Sequence, residues 1–107
     1  KYFADVKSQT ADEVFHYDMS AVRGGIARLA AGWTRKVDIT ERDAAPSVYR
    51  VDYRSQVASA WVQMTVTLTA DASSTTVTVV GDGKRSEAEF RSDAVMFFYD
   101  LSAALAR

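Results

Sequence analysis

Cysteine is absent from this 107-residue sequence, and histidine and proline occur once each. Without cysteine there is neither a disulfide nor a thiolate nucleophile, and a lone histidine leaves a structural zinc site without its ligands. The acidic residues are scattered and form no calcium-binding loop, in which oxygen ligands alternate over about a dozen residues. We therefore expect no metal ion and no cofactor.

An excess of charge of either sign is also missing, since 13 lysines and arginines stand against 14 aspartates and glutamates. Nucleic-acid-binding domains of this size usually carry a clear basic excess, so we expect no nucleic-acid partner. Apolar runs are short as well, far below the roughly 20 residues of a membrane-spanning helix. We expect no transmembrane segment in this chain.

The chain begins at Lys1 without an initiator methionine and enters patterned sequence almost at once. This start suggests a trimmed or mature chain, with any leader peptide, lipid anchor or neighbouring domain lying ahead of Lys1. For this reason we favour the periplasm or envelope of a bacterium over the cytoplasm. Residues 1–107 themselves have the apolar and charged content of one globular domain.

From residue 33 to residue 91 apolar and polar side chains alternate with a period of two, which is typical of half-buried strands. The pattern predicts five strands, at residues 33–40, 48–54, 59–70, 75–80 and 85–91. Short turns at 57–58, at 72–73 and at the Asp82-Gly83 pair join the last four strands into an antiparallel meander.

The predicted register sets Val51 opposite Met64 and Leu68 opposite Val77, so that the apolar side chains of neighbouring strands share one face of the sheet. That face forms a continuous apolar wall made of Tyr49, Val51, Val62, Met64, Val66, Leu68, Val77 and Val79. A sheet with one apolar face and one polar face needs a covering layer, and we expect helices to supply it.

The C-terminal segment carries a clear helical pattern. Ser92 is a suitable N-cap, and a negative charge at Asp93 in the first turn suits the helix dipole. The apolar stripe that follows at helical spacing comprises Ala94, Phe97, Phe98, Leu101, Ala104 and Leu105. We expect this stripe to cover the apolar wall of the sheet.

The N-terminal third allows two interpretations. In the first, a short strand at 2–6 precedes one long helix that begins at a capping box on Thr10 and ends near residue 31. In the second, residues 13–19 form a strand and Ser20 caps a shorter helix over 21–31. Both interpretations predict the order strand, helix, five strands, helix.

The expected fold is therefore α+β, with a curved five-stranded antiparallel meander packed on one face by an N-terminal and a C-terminal helix. The order of elements is similar to that of small helix-grip domains, and this resemblance implies room for an apolar ligand between the sheet and the C-terminal helix. Within the first helix, the Gly24-Gly25 pair suggests a close approach of the helix to the sheet.

The polar face of the predicted sheet carries an aromatic and basic patch. Arg54 faces Trp61 in the predicted register, and Arg50 and Gln63 lie on the same face. Tryptophan and arginine are enriched at the energetic centres of protein interfaces, which favours a contact surface for a protein or a glycan. The simpler alternative is a cross-strand cation–π pair on a solvated sheet face that is rich in threonine.

Tyr99 ends a run of three aromatic residues on the C-terminal helix and falls outside its apolar stripe. One interpretation places Tyr99 over the edge of the domain with its hydroxyl in water. The other is a helix–helix contact in a homodimer.

We find no set of residues that amounts to an active site. His16 and Asp18 would share a face of a strand as an acid–base pair, but such a dyad supplies neither nucleophile nor oxyanion donors. We therefore expect a non-enzymatic binding or protein-interaction domain with an unidentified protein partner. Its contact residues would be Trp61, Arg54, Arg50, Gln63 and Tyr99. The alternative is a carrier of a small apolar ligand, with a cavity lined by Tyr49, Tyr53, Met64 and Phe97.

Overall fold

The computed structural model describes residues 9–32, 35–57 and 59–106, and five strands and two helices lie in these ranges. The elements are β1 (Thr10–Phe15), α1 (Met19–Ala30), β2 (Val37–Ala44), β3 (Val48–Val57), β4 (Ala60–Asp71), β5 (Ser74–Gly81) and α2 (Glu87–Leu105). The strand predicted at 2–6 lies outside the described residues. Within the described ranges, neither helix is long and apolar enough to cross a bilayer.

The strands form one antiparallel sheet in the order β1-β5-β4-β3-β2, which confirms the α+β class and the five-stranded antiparallel sheet with an N-terminal and a C-terminal helix. Strands β2 to β5 form a meander. The fifth place is taken by β1, which pairs with the outer edge of β5 from Thr10 opposite Val80 to Phe15 opposite Thr75. The described part of the chain therefore has the order β-α-β4-α rather than β-α-β5-α.

The predicted strand at 85–91 is wrong, because these residues lead into and begin α2. Ser86 is the N-cap, and it forms a capping box in which its hydroxyl accepts from the Glu89 N–H and its own N–H donates to the Glu89 carboxylate. The N-cap thus lies about 1.7 turns before the predicted cap at Ser92. Five alternating residues are too few to outweigh a Ser-x-x-Glu signal followed by a long helical stripe.

Asp82-Gly83 is correspondingly not a hairpin turn. Gly83 adopts φ +82° in the connection from β5 to α2, and its N–H donates to the side chain of Gln9 at 3.2 Å. Gln9 also donates from Nε2 to the carbonyl of Arg85 at 2.5 Å. The residue before β1 therefore shapes the connection that places the start of α2.

At the N-terminus the second interpretation is the closer one, and the long helix from Thr10 is wrong. The strand is β1, and α1 begins at Met19 with Asp18 as its N-cap, whose carboxylate accepts from the Ala21 N–H at 2.8 Å. The cap is thus Asp18 and not Ser20. Alternate burial of Ala11 and Phe15 against β5 accounts for the strand, which a local capping signal at Thr10 does not anticipate.

The register predicted between β4 and β5 is confirmed, with Leu68 opposite Val77 and a turn at 72–73. Between β3 and β4 the pairing is shifted by two residues, so that Val51 faces Val66 instead of Met64. A shift by an even number of residues keeps every side chain on its predicted face. The apolar wall survives for this reason.

All eight residues of the predicted apolar wall are buried, and we call the face that carries them the inner face of the sheet. Helix α2 covers it with the predicted aromatic residues, and the ring of Phe97 meets that of Tyr53 edge-on at 4.9 Å between centroids. Helix α1 adds Val22, Ile26 and Leu29 to the same core. The opposite, solvent-facing side is called the outer face.

The close approach expected at Gly24-Gly25 involves the other helix rather than the sheet. A Cβ added to Gly25 would lie 3.0 Å from side-chain carbons of Leu101 and Leu105 on α2, whereas one added to Gly24 would meet nothing within 4 Å. Only Gly25 therefore has a packing reason to lack a side chain.

Candidate interaction site on the outer face

Strand alternation decides which side chains reach the outer face. Val62 and Met64 of β4 are buried on the inner face. Trp61 precedes Val62 and Gln63 lies between Val62 and Met64, so both of these side chains point outward. Arg54 of β3 does so for the same reason, between buried Tyr53 and Ser55.

Two cations surround Trp61, which is 37% exposed. The guanidinium carbon of Arg54 lies 4.5 Å from the ring centroid, and Nζ of Lys36 lies 5.9 Å from it. Both are within the range of a cation–π interaction. Lys36 immediately precedes β2, and its carbonyl accepts from the Gln56 N–H at 3.0 Å, which extends the sheet ladder to this residue.

The predicted direct pairing of Arg54 with Trp61 is off by two residues. Arg54 faces Gln63 across the ladder, and Trp61 faces Gln56. The contact between Arg54 and Trp61 is therefore diagonal, and it forms because both side chains are long enough to bridge neighbouring positions. Lys36 completes the group, and sequence alone did not connect it with Trp61 because the register of β2 on β3 was unknown.

The basic side chains of this face differ in their ion pairing. Arg42 Nε lies 2.6 Å from Asp52 Oδ2, and Arg50 Nη2 lies 2.9 Å from Asp43 Oδ2. Arg54 and Lys36 form no ion pair with any described residue; Asp38 faces Arg54 across the ladder without bridging to it. We refer to Trp61, Arg54 and Lys36 as the Trp61 patch.

The five predicted contact residues do not form one surface. Gln63 lies opposite Arg54 and next to the Trp61 patch. Arg50 lies at a different position on β3 and forms an ion pair with Asp43. Tyr99 is on α2, which covers the inner face, and is 73% exposed to solvent. The outer face and the solvent side of α2 are therefore two separate candidate surfaces.

Threonines fill the centre of the outer face, as the sequence indicates. Thr67 faces Thr78 and Thr69 faces Thr76 across the β4–β5 ladder. Most of these side chains are half-buried among their neighbours. They provide a hydroxyl-rich surface next to the Trp61 patch, and their β-branched shape suits a strand.

The predicted ligand-cavity residues are divided as well. Tyr53, Met64 and Phe97 line a cavity of about 10 Å³ between β3 and α2. That volume matches one water molecule, so an organic ligand would require these side chains to move. Tyr49 lies outside this cavity.

Tyr49 sits instead beneath Arg23 of α1, whose guanidinium carbon is 4.1 Å from its ring centroid. The Tyr49 hydroxyl donates to Glu41 at 3.1 Å. Burial raises the pKa of Tyr49, and the hydrogen bond and negative charge of Glu41 raise it further. Beside this cluster, Met19, Ser20, Arg23 and Pro46 line an open groove of about 270 Å³.

Two buried ion pairs on the inner side were not predicted from the sequence. Asp93 accepts from Arg85 at 2.9 and 3.1 Å, and Asp100 accepts from Arg35 at 2.9 and 3.5 Å. Burial raises the pKa of the Tyr53 hydroxyl, and the nearby charge of Asp100 raises it further. The available signal was the spacing of seven, which puts both aspartates on the buried side of α2 within an apolar stripe.

The proposed acid–base pair of His16 and Asp18 is not assembled. His16 is exposed, with Nδ1 3.5 Å from the Ser74 hydroxyl, and the Asp18 carboxylate is used as the cap of α1. In the described ranges no group of three histidine, aspartate or glutamate side chains is arranged to hold a metal ion.

The sequence matches no protein-family model and no curated protein. A search of solved structures finds a similarity to DynU16, a protein of the dynemicin biosynthetic locus, with a TM-score of 0.49 and 18% sequence identity. The similarity covers 92% of this chain, which spans 45% of the length of DynU16. At this level of similarity the comparison indicates nothing about activity.

Proposed function

We propose that this chain is a non-enzymatic binding domain that contacts an acidic surface of a partner protein through the Trp61 patch. The supporting observation is the combination of an exposed tryptophan with two cations, Arg54 and Lys36, that form no ion pair with a described carboxylate. Tryptophan, tyrosine and arginine are enriched among the few central residues that contribute most of the binding energy of an interface.

The charge distribution favours an acidic partner. Elsewhere on the outer face Arg42 and Arg50 are held by Asp52 and Asp43, so the local charge there is balanced. Of the basic side chains on the outer face in the described ranges, only those of the Trp61 patch form no ion pair. An incoming carboxylate would gain charge-assisted hydrogen bonds from Arg54 without displacing an intramolecular partner.

A fluorescein-labelled polyglutamate peptide provides a simple substitute for an acidic protein surface, with binding followed by fluorescence anisotropy at low salt. We expect Arg54→Gln to raise the dissociation constant about tenfold, equivalent to about 1.4 kcal/mol. Trp61→Thr removes the aromatic ring without changing the net charge and should weaken binding similarly. Threonine is a good strand former, so the fold should persist, which circular dichroism checks.

Arg50→Gln is the matched control, because it makes the same change in the same strand and on the same face. Since Arg50 is already paired with Asp43, we expect a change of about twofold or less. Equal losses in Arg54→Gln and Arg50→Gln would indicate attraction by overall charge. That result, unchanged affinity in Trp61→Thr, or no binding by the unaltered protein would contradict the proposal.

A further inference from the structure

The solvent side of α2 carries almost no charge. Over residues 92–106 the only charged residues are Asp93 and Asp100, and both are buried. On the exposed side, Val95 is 41% and Tyr99 is 73% accessible to solvent. A helix at a protein surface normally turns charged and polar residues towards water. An uncharged helix face with exposed apolar side chains is typical of a surface that associates with another protein.

Six exposed residues on this side of α2 repeat at the spacing of a coiled-coil seam. Their intervals are four, three, four, three and four residues, so their side chains form one stripe along the helix. We call this set the α2 stripe, and it consists of Ala88, Ser92, Val95, Tyr99, Ser102 and Ala106. At about 3.6 residues per turn the stripe is centred opposite Phe97, whose ring packs against Tyr53 of the sheet. The stripe therefore points away from the core.

The α2 stripe is nearly symmetric about its midpoint at Phe97. Val95 and Tyr99 lie two residues to either side of this point, the two serines lie five residues away and the two alanines nine. A twofold axis through the midpoint would bring each member of the stripe onto its counterpart in a second copy, such as Val95 onto the partner's Tyr99. The larger side chains would meet at the centre, and the small ones at both ends would let the helices lie close together.

The charges near the two ends of α2 favour an antiparallel arrangement. Glu87 in the first turn is exposed and forms no ion pair with a described residue. At the other end, exposed Arg28 of α1 donates from Nη1 to the Ala104 carbonyl at 2.6 Å. Antiparallel packing would bring Glu87 of one chain towards Arg28 of the other, whereas parallel packing would bring the two Glu87 carboxylates together.

We propose that the α2 stripe is a self-association surface, on which a second copy of this chain packs its own α2 antiparallel about a twofold axis. A contact made by one helix from each chain falls below the roughly 1,200 Å² of stable protein interfaces, so we expect a weak dimer with a dissociation constant on the order of 100 µM. The Trp61 patch lies on the other side of the sheet, and the dimer leaves it accessible. Self-association through α2 is therefore independent of any partner bound at that patch.

Sedimentation velocity of the complete chain tests this surface, at concentrations from well below to well above the expected dissociation constant. Tyr99→Ser removes the largest side chain of the stripe and should raise the dissociation constant by about tenfold or more. Tyr99→Phe keeps the ring and Trp61→Thr alters only the outer face, so both should leave the constant within about twofold. Circular dichroism checks that each variant remains folded, as expected for exposed positions.

Introduced cysteines report the orientation of the two helices, because the chain has none of its own. In the antiparallel dimer the two copies of residue 92 are about 15 Å apart along the helices, beyond the roughly 7 Å that a disulfide spans between Cα atoms. An equal mixture of the Ser92→Cys and Ser102→Cys variants should therefore form a mixed disulfide about tenfold or more faster than either variant links to itself.

A chain that stays monomeric over the whole concentration range would overturn the proposal. So would a dimer that persists in Tyr99→Ser or dissociates in Trp61→Thr. Disulfides that form as fast within a single variant as in the mixture would contradict the antiparallel axis and overturn it as well.

Discussion

Two arginine–aspartate pairs with the same 2.9 Å contact lie on opposite sides of the sheet. Arg50 and Asp43 on the outer face keep about half of their side-chain surface in water, whereas Asp100 beneath α2 keeps 6% and its partner Arg35 keeps 25%. Distance therefore does not distinguish the two pairs, and exposure does. The outer pair is screened by solvent, and the inner pair has only its partner to replace lost hydration.

The comparison explains why the two faces suit different tasks. On the outer face a charge without a partner costs little, so Arg54 and Lys36 remain available to an external ligand. On the inner face each charge must be matched, and the Arg35–Asp100 pair links α2 to the segment that precedes β2. A buried pair need not add net stability, but losing one partner leaves the other buried and uncompensated.

The largest effect is expected from breaking an inner pair. Asp100→Ala should lower the free energy of unfolding by about 3 kcal/mol, since it leaves Arg35 without its carboxylate. Asp43→Ala on the outer face is the control and should cost less than about 1 kcal/mol. Urea unfolding followed by circular dichroism measures both. Similar losses in the two variants would show that exposure does not separate the pairs.

Smaller changes in stability, opposite in sign to each other, are expected at the two adjacent glycines of α1. Gly24→Ala faces open space and should stabilise the protein by about 0.8 to 1 kcal/mol through helix propensity alone. Gly25→Ala gains the same propensity but presses its Cβ on Leu101 and Leu105, and overpacking costs about 1 to 3 kcal/mol. Thermal unfolding should therefore rank Gly24→Ala above Gly25→Ala. The reverse order would show that Leu101 and Leu105 of α2 move aside without a cost in stability.

The smallest effect is expected at Tyr99, the exposed aromatic residue on the solvent side of α2. Because its side chain is 73% exposed, Tyr99→Ser should change the free energy of unfolding by less than about 0.5 kcal/mol. The homodimer suggested by this residue remains a prediction, and sedimentation velocity tests it. A dimer that dissociates in Tyr99→Ser but not in Trp61→Thr would assign self-association to α2 rather than to the outer face.

The inner face was predictable because its signal is repeated. Apart from Ser55 and Thr75, the buried inward residues of β3, β4 and β5 are apolar, so the face assignment tolerates an error of two residues in register. The aromatic stripe of α2 was likewise visible, since helical spacing repeats over several turns. The strand proposed at 85–91 failed because a short alternation competes with a capping box and carries little information of its own.

The candidate sites were predictable only in part. Trp61 and Arg54 are near in sequence and belong to one hairpin, so their proximity follows from local pairing. Lys36 joins them only through the pairing of β2 with β3, which contains a bulge near Arg42. The buried ion pairs join residues 65 positions apart in one case, and nothing local marks such partners.

By itself the sequence determined which side chains are apolar and with what period they recur, and hence the two faces of the sheet and the stripe of α2. The tertiary structure alone decided that β1 pairs with the edge of β5, that Gly25 packs against α2, and that Arg35 forms an ion pair with Asp100. The physical reason is that periodic burial is a property of each segment separately. A particular contact depends on how whole segments are placed against one another, and one residue of register or half a turn of helix changes it.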